Sequence, residues 1–226
     1  MNQRFISVAV DGPAGAGKST VARRAAEALG FVYVDTGAIY RTLAYAVITA
    51  GAAPDDGAAV AALLPGLSLR MQWENGVQHM FLAEQDVTEE IRRPEISAAA
   101  SLVSAIPAVR QYLLDTQRNI ARTHHVIMDG RDIGTIVLPD AQVKIFLTAS
   151  AEIRARRRWQ ELQAAGRPDE YTQVLAEIVE RDRRDSEREI APLRAAQDAV
   201  VLDTSDLNLE ESIQAMLNLI REKAEK

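Results

Sequence analysis

Eight consecutive residues, Gly12-Pro13-Ala14-Gly15-Ala16-Gly17-Lys18-Ser19, constrain this chain more than any other feature. They fit the pattern Gly-x4-Gly-Lys-Ser/Thr between an apolar run, Phe5 to Val10, and a helical stretch, Ser19 to Leu29, that Gly30 stops. A strand, a glycine-rich turn and a helix in that order let backbone N–H groups converge on phosphate oxygens, and the helix dipole adds positive potential. Lys18 supplies a point charge, the Ser19 hydroxyl can ligate Mg²⁺, and Thr20 completes the segment. Residues 12–20 are therefore expected to bind a triphosphate, with ATP as donor.

A second apolar run, Phe31 to Val34, follows at once, and further runs at Val126–Met128, Val143–Leu147 and Val200–Leu202 alternate with helical stretches. The fold class is α/β: a P-loop NTPase with a parallel sheet flanked by helices. Hydrophobicity within the runs is continuous, as strands covered on both faces require. Residues 67–87 break the pattern. Leu67, Leu69, Met71 and Trp73 alternate with polar residues, Asn75-Gly76 predicts a type I′ turn, and Val77–Leu82 returns as an antiparallel partner. Ser150 and Asp169 are expected to cap helices running to about Ala165 and Arg188, with a stop at Pro192. Asn208 with Glu211 predicts a capping box for the last helix.

Composition narrows the chemistry. There is no cysteine and there are three histidines, His79, His124 and His125, which argues against zinc-thiolate sites, thiol nucleophiles and a metal–histidine centre. A net charge of −6 argues against a surface that holds long nucleic acid by phosphate neutralisation. The opening apolar run of six residues is too short for a signal peptide, and no run approaches the length of about 18 that spans a membrane. A cytoplasmic protein is expected.

A P-loop indicates a triphosphate, not its acceptor. No Asn-Lys-x-Asp sequence occurs, so a GTPase switch is not expected. Ligands of an open parallel sheet bind beyond the carboxyl ends of its strands, where three segments lie. In Asp35-Thr36-Gly37-Ala38-Ile39-Tyr40-Arg41, a helix starting near Gly37 would present Thr36 and Arg41. In Asp129-Gly130-Arg131-Asp132, Asp129 has the placing of a carboxylate that acts on Mg²⁺ directly or through water. Arg181, Asp185 and Arg188 stand at i, i+4 and i+7 and would share a helix face, though Glu180, Asp182, Arg183 and Arg184 make a solvated salt-bridge ladder a competing reading. Arg154, Arg156, Arg157 and Arg158 form a fourth cluster, either a lid over the triphosphate or a mixed-charge helix surface. A phosphate monoester is mostly dianionic at neutral pH and needs cations rather than a base, so the arginines favour a monophosphate acceptor. A hydroxyl acceptor would call on Asp35 as base, and a noncatalytic nucleotide switch would need neither.

Four segments, DGPAGAGKST at 11–20, DTGAIYR at 35–41, DGRDIGT at 129–135 and ERDRRDSEREIAPL at 180–193, together resemble the bacterial cytidylate kinases, a nucleoside monophosphate kinase family. The resemblance covers essentially the whole chain, inserted hairpin included. It implies direct in-line transfer from Mg-ATP to CMP or dCMP, giving CDP or dCDP, by a monomer. It implies that Arg41, Arg131 and Arg188 hold the monophosphate, that Arg181 and Asp185 meet the sugar hydroxyls, and that Ser101, Arg110 and Asp132 read the cytosine. Lys18, Arg131 and Arg188 would be the catalytic groups, Arg157 would meet ATP, and Ser19 and Asp129 would serve Mg²⁺. A carboxylate can accept from the cytosine amine, which uracil lacks. Position 36 departs from the pattern: the family often has serine where Thr36 stands, and the added methyl crowds the nucleotide slightly. One P-loop kinase domain, 1–226, is expected, with a monophosphate-binding region at about 37–110, an insert at about 62–100 and a lid with flanking helices at about 151–190.

Overall fold

Five short apolar strands build the central sheet: β1 (Ser7–Asp11), β2 (Val32–Asp35), β6 (Val126–Gly130), β7 (Val143–Thr148) and β8 (Val200–Asp203), all parallel, in the order β2-β6-β1-β7-β8. The computed structural model describes residues 5–167 and 169–224; Met1–Arg4, on which part of the leader reading rests, lie outside them. Helices cover both faces, which explains the unbroken hydrophobicity of β1. Val8 and Val10 pack with Val21 and Ala25 of α1 (Lys18–Leu29) and with Ile213 and Met216 of α8 (Leu209–Ala224). Ala9 faces the opposite cluster, with Ile39 and Leu43 of α2 (Thr36–Thr49), Val60 of α3 (Gly57–Leu63), Val103 of α4 (Pro94–Val103) and Leu113 of α5 (Pro107–Thr123). Each such side chain contributes about 1.5–3 kcal/mol on burial, so both faces drive folding. Among the described residues, no helix is long and apolar enough to cross a membrane.

The expected hairpin is present as β3 (Leu69–Glu74) and β4 (Val77–Leu82), and both turn residues have positive φ, 51° at Asn75 and 77° at Gly76. A third strand, β5 (Gln85–Asp86), is too short for any periodicity to announce. This small sheet meets the edge of the large one through side chains. Trp73 Nε1 donates to the Tyr33 carbonyl at 2.8 Å; Gln78 Oε1 accepts from the Asp35 N–H at 2.8 Å while its Nε2 donates to the Asp35 carbonyl at 3.3 Å. A single amide thus takes the place of a neighbouring strand beside Asp35.

Helix ends follow the sequence with two corrections. Asn208 and Glu211 bond reciprocally (3.0 and 2.8 Å), and Ser150 Oγ accepts from Ile153 N–H at 3.3 Å at the start of α6 (Ala151–Ala164). Asp169, however, does not cap α7 (Tyr171–Glu187), which begins without a side-chain cap. Asp169 lies too far upstream to reach the free N–H groups, and its carboxylate turns back to Arg167 at 3.2 Å. Arg188 lies just past the helix with extended backbone (φ −62°, ψ 139°), so it does not share the helical face of Arg181 and Asp185. Helices α6 and α7 close their own apolar cluster of Ala155, Leu162, Val174 and Ile178, apart from the two main clusters.

Gly12, at φ 147°, lies so close under β7 that a Cβ there would stand 1.9 Å from the Leu147 carbonyl oxygen. Gly12→Ala is expected to lower unfolding free energy by about 3 kcal/mol or more, measured by urea denaturation.

Candidate active site

The carboxyl ends of β1, β2 and β6 open into a cavity of about 420 Å³. The glycine-rich loop forms one wall, bent by positive φ at Gly15 (74°) and Gly17 (87°). No side chain caps α1 and no acid stands in its first turn, so its N–H groups and positive dipole end are left for an anion. Lys18 is buried, with Nζ donating to the Pro13 carbonyl at 2.7 Å. Gly12, Pro13 and Ala16 do not line the cavity: Ala16 packs into the α1/α8 core, and the other two shape the loop from beneath. The remaining predicted residues, from Ala14 through Thr20 on the loop to Thr36, Arg41, Ser101, Arg110, Arg131, Asp132, Arg157, Arg181, Asp185 and Arg188, all line it.

Ser19 Oγ donates to Asp129 Oδ2 at 2.8 Å, and Tyr33 Oη donates to Oδ1 at 3.1 Å. Burial first, then the charge of Asp35, pushes the Asp129 carboxyl up to about 6. A buried carboxylate with a hydroxyl beside it fits Mg²⁺, which takes one or two protein ligands, several waters and substrate phosphates. Among the described residues no cluster of three or more acidic, histidine or cysteine side chains could form a full protein cage. The Thr36 hydroxyl donates to the Asp129 carbonyl at 2.7 Å, which ties the start of α2 to β6, and the residue is 3% exposed.

Arginines fill the other walls. Arg41 pairs with Asp35 at 2.8 Å, while the second Asp35 oxygen caps α2 through the Ala38 N–H at 2.9 Å. Arg131 Nε donates to Asp185 at 2.9 Å, and Arg110 pairs with Asp132 in a very short contact. Arg188 stands 3.7 Å from Asp132 and donates to the Ala191 carbonyl. Among the described residues, the buried Arg41 Nε and Arg181 Nε have no hydrogen-bond partner, and the buried Arg188 Nη2 has the ion-pair approach to Asp132 but no hydrogen bond. Burial, and then Arg131, lowers the Arg181 pKa; burial, and then Arg110, lowers that of Arg188. A cavity walled by so many arginine side chains is complementary to oxyanions.

The fourth arginine cluster divides. Arg157 lines the cavity with Nη2 donating to the Thr204 carbonyl at 2.7 Å, whereas Arg156 and Arg158 face solvent. Arg154 is buried and does not reach the cavity: it donates to the carbonyls of Ala149 (2.8 Å) and Ala14 (3.0 Å) and grips Asp182 with both terminal nitrogens. Sequence reasoning missed Tyr40, over whose ring Arg110 lies at 5.7 Å, and Ser97 and Ser104. Ser97, Ser101 and Ser104 recur at i, i+4 and i+7 on α4 and its C-cap, a spacing that could have revealed them.

These buried charges oppose folding near neutral pH. Burial pushes the Asp11 carboxyl up to about 6, and burial, then Arg131, pushes the Lys18 ammonium down to about 7. Between the ordinary aspartate value of 3.8 and about 6, the folded chain keeps protons on Asp11 and Asp129 that the unfolded chain has released, so stability falls as pH rises. Between about 7 and 10.5 the unfolded chain keeps a proton on Lys18 that the folded chain has lost, so stability rises with pH. Urea unfolding of the nucleotide-free protein is expected to show a minimum near pH 6.5, about 2 kcal/mol below pH 5.

The family model for cytidylate kinase matches residues 8–222. The cytidylate kinase of Exiguobacterium sp. is 49% identical over 220 residues, covering 97% of this chain and 98% of the relative. That of Geobacter sulfurreducens is 47% identical over 221 residues, covering 98% and 95%. The crystal structure of an uncharacterized protein from Eubacterium ventriosum matches with a TM-score of 0.53 at 11% identity, over 96% of this chain and 98% of that one, a likeness of fold alone. The sequence match takes in the glycine-rich loop, the insert and the arginine-lined wall together, and the chain belongs to the cytidylate kinase family.

Proposed function

We propose that the cavity holds CMP or dCMP against Mg-ATP and directs in-line transfer of the γ-phosphoryl group, giving CDP or dCDP and ADP. The observation that carries this reading is the gathering of Arg41, Arg110, Arg131, Arg181 and Arg188 on the walls of a cavity whose opposite wall is a P-loop. The family membership supports cytosine as the base.

The donor phosphates lie on the N–H groups of the loop residues that line the cavity, Ala14, Gly15 and Gly17 to Thr20, with Lys18 against the β- and γ-oxygens and Arg157 on the ATP side. Mg²⁺, when bound, offsets charge on these phosphates, and Ser19 and Asp129 are the residues to hold it. Arg41, Arg131 and Arg188 hold the acceptor phosphate, and Lys18, Arg131 and Arg188 stabilise the charge that spreads over the transferring group. Arg181 and Asp185 meet the ribose, while Ser101, Arg110 and Asp132 read the base, with the Thr36 side chain beneath. No base is needed, since the acceptor oxygen is already anionic. Asp35 suits that picture: one of its oxygens pairs with Arg41 and the other caps α2, contacts that protonating the carboxylate would weaken.

A single domain, 1–226, carries the reaction, with the acceptor region at about 37–110, its insert at about 62–100 and a lid at about 151–190. The separate apolar cluster of α6 and α7 supports a lid that moves as a unit and excludes water from the transfer. A monomer, as the family resemblance implies, acting in the cytoplasm is the proposed working form. The test is ADP release with Mg-ATP and each common nucleoside monophosphate. CMP and dCMP are expected to stimulate it well above UMP, and the reading fails if no monophosphate stimulates it.

A further inference from the structure

Asp11 ends β1 immediately before the glycine-rich loop, is 4% exposed, and is not among the residues lining the cavity. Its carboxylate reaches the other side of the site. Oδ1 accepts from the Ile133 N–H at 2.7 Å and Oδ2 from the Gly134 N–H at 2.8 Å. These two amides open a single π-type turn, Ile133–Val137, directly after Arg131 and Asp132. The ladder between β1 and β6 runs out at the pair Asp11 and Gly130, and beyond it the carboxylate continues the hydrogen bonding between the two segments. Asp132 itself has φ −143° and ψ 27°, outside both strand and helix geometry, and the turn after it must be anchored for its side chain to point one way.

We propose that Asp11 is a positioning residue that seats the loop carrying Arg131 and Asp132 against the root of the P-loop, and so sets the register between donor and acceptor. This rests on the proposed roles of Arg131 and Asp132. The chemistry asks for a carboxylate: two N–H groups aim at two oxygens, and an asparagine would turn an NH₂ on one of them, donor against donor. Gly134 serves the same contact, since a Cβ there would stand 3.3 Å from Asp11 Oδ2 and 3.2 Å from Lys144 Cδ. A displacement of about 1 Å at such a distance from the chemistry can cost about a hundredfold in rate.

Asp11→Asn tests this with two independent readouts. Hydrogen–deuterium exchange of the nucleotide-free protein is expected to speed up about tenfold in the 131–137 segment, a result that needs no substrate and so stands apart from the functional reading. In steady-state assays KM for CMP is expected to rise about tenfold and the preference for CMP over UMP to shrink, while the Kd for Mg-ATP stays within about twofold and unfolding stays cooperative. Gly134→Ala, which crowds the carboxylate from the loop side, is expected to move the same quantities in the same direction and carries the test if Asp11→Asn does not fold. Unchanged exchange, or CMP constants and base preference within about twofold of the parent, overturns the proposal; so does a loss of ATP affinity as large as that for CMP, which would assign Asp11 to the P-loop alone.

Discussion

Replacing Lys18 with alanine is expected to slow CMP phosphorylation by about a thousandfold or more, with cooperative unfolding retained. The size of the effect follows from the site. The Lys18 ammonium is buried at the foot of the glycine-rich loop and tethered to the Pro13 carbonyl, so water cannot stand in for its charge. Stability should move the other way. Burial and the nearby Arg131 disfavour the charged lysine in the nucleotide-free protein, so its removal relieves an opposed charge, and the variant should unfold at equal or higher urea concentration. Turnover within about tenfold of the parent would remove Lys18 from the catalytic groups.

Asp132→Ala is the second large effect. Its carboxylate is buried, pairs with Arg110 and faces Arg188 at 3.7 Å, so its loss removes the acceptor proposed for the cytosine amine and frees both guanidinium groups. We expect kcat/KM for CMP to fall by at least about a hundredfold and the ratio of CMP to UMP turnover to collapse, because a site built around one hydrogen bond loses discrimination when its partner is removed. Mg-ATP affinity should stay within about twofold, since Asp132 belongs to the acceptor wall. Equal weakening toward CMP and UMP would deny it the role of base reader.

Much of this architecture was legible because its signals are local. The loop from Gly12 to Ser19, the Asn75-Gly76 turn and the reciprocal Asn208–Glu211 cap each depend on residues a few positions apart. What misled was position relative to a helix end. Asp169 has the chemistry of a cap but lies upstream of the first free N–H groups, and Arg188 continues the spacing of Arg181 and Asp185 into backbone that is no longer helical. Arg154 is a different case. On a helix so rich in arginine nothing in the sequence marks the one that turns inward, and only the fold brings the Ala14 carbonyl and Asp182 to it. The same holds for Asp11, whose partners lie more than a hundred residues away.

The indole of Trp73 and the amide of Gln78 leave the two rims of the main sheet unlike each other. At the β2 rim the Tyr33 carbonyl and both backbone groups of Asp35 are satisfied, so a strand from another molecule finds little there to join. At the opposite rim, β8 has no strand on its outer side among the described residues, and Val201 is 59% exposed. Among the described residues, strand addition to the main sheet is therefore favoured at β8, and a lysine introduced at Val201 would blunt it without approaching the nucleotides.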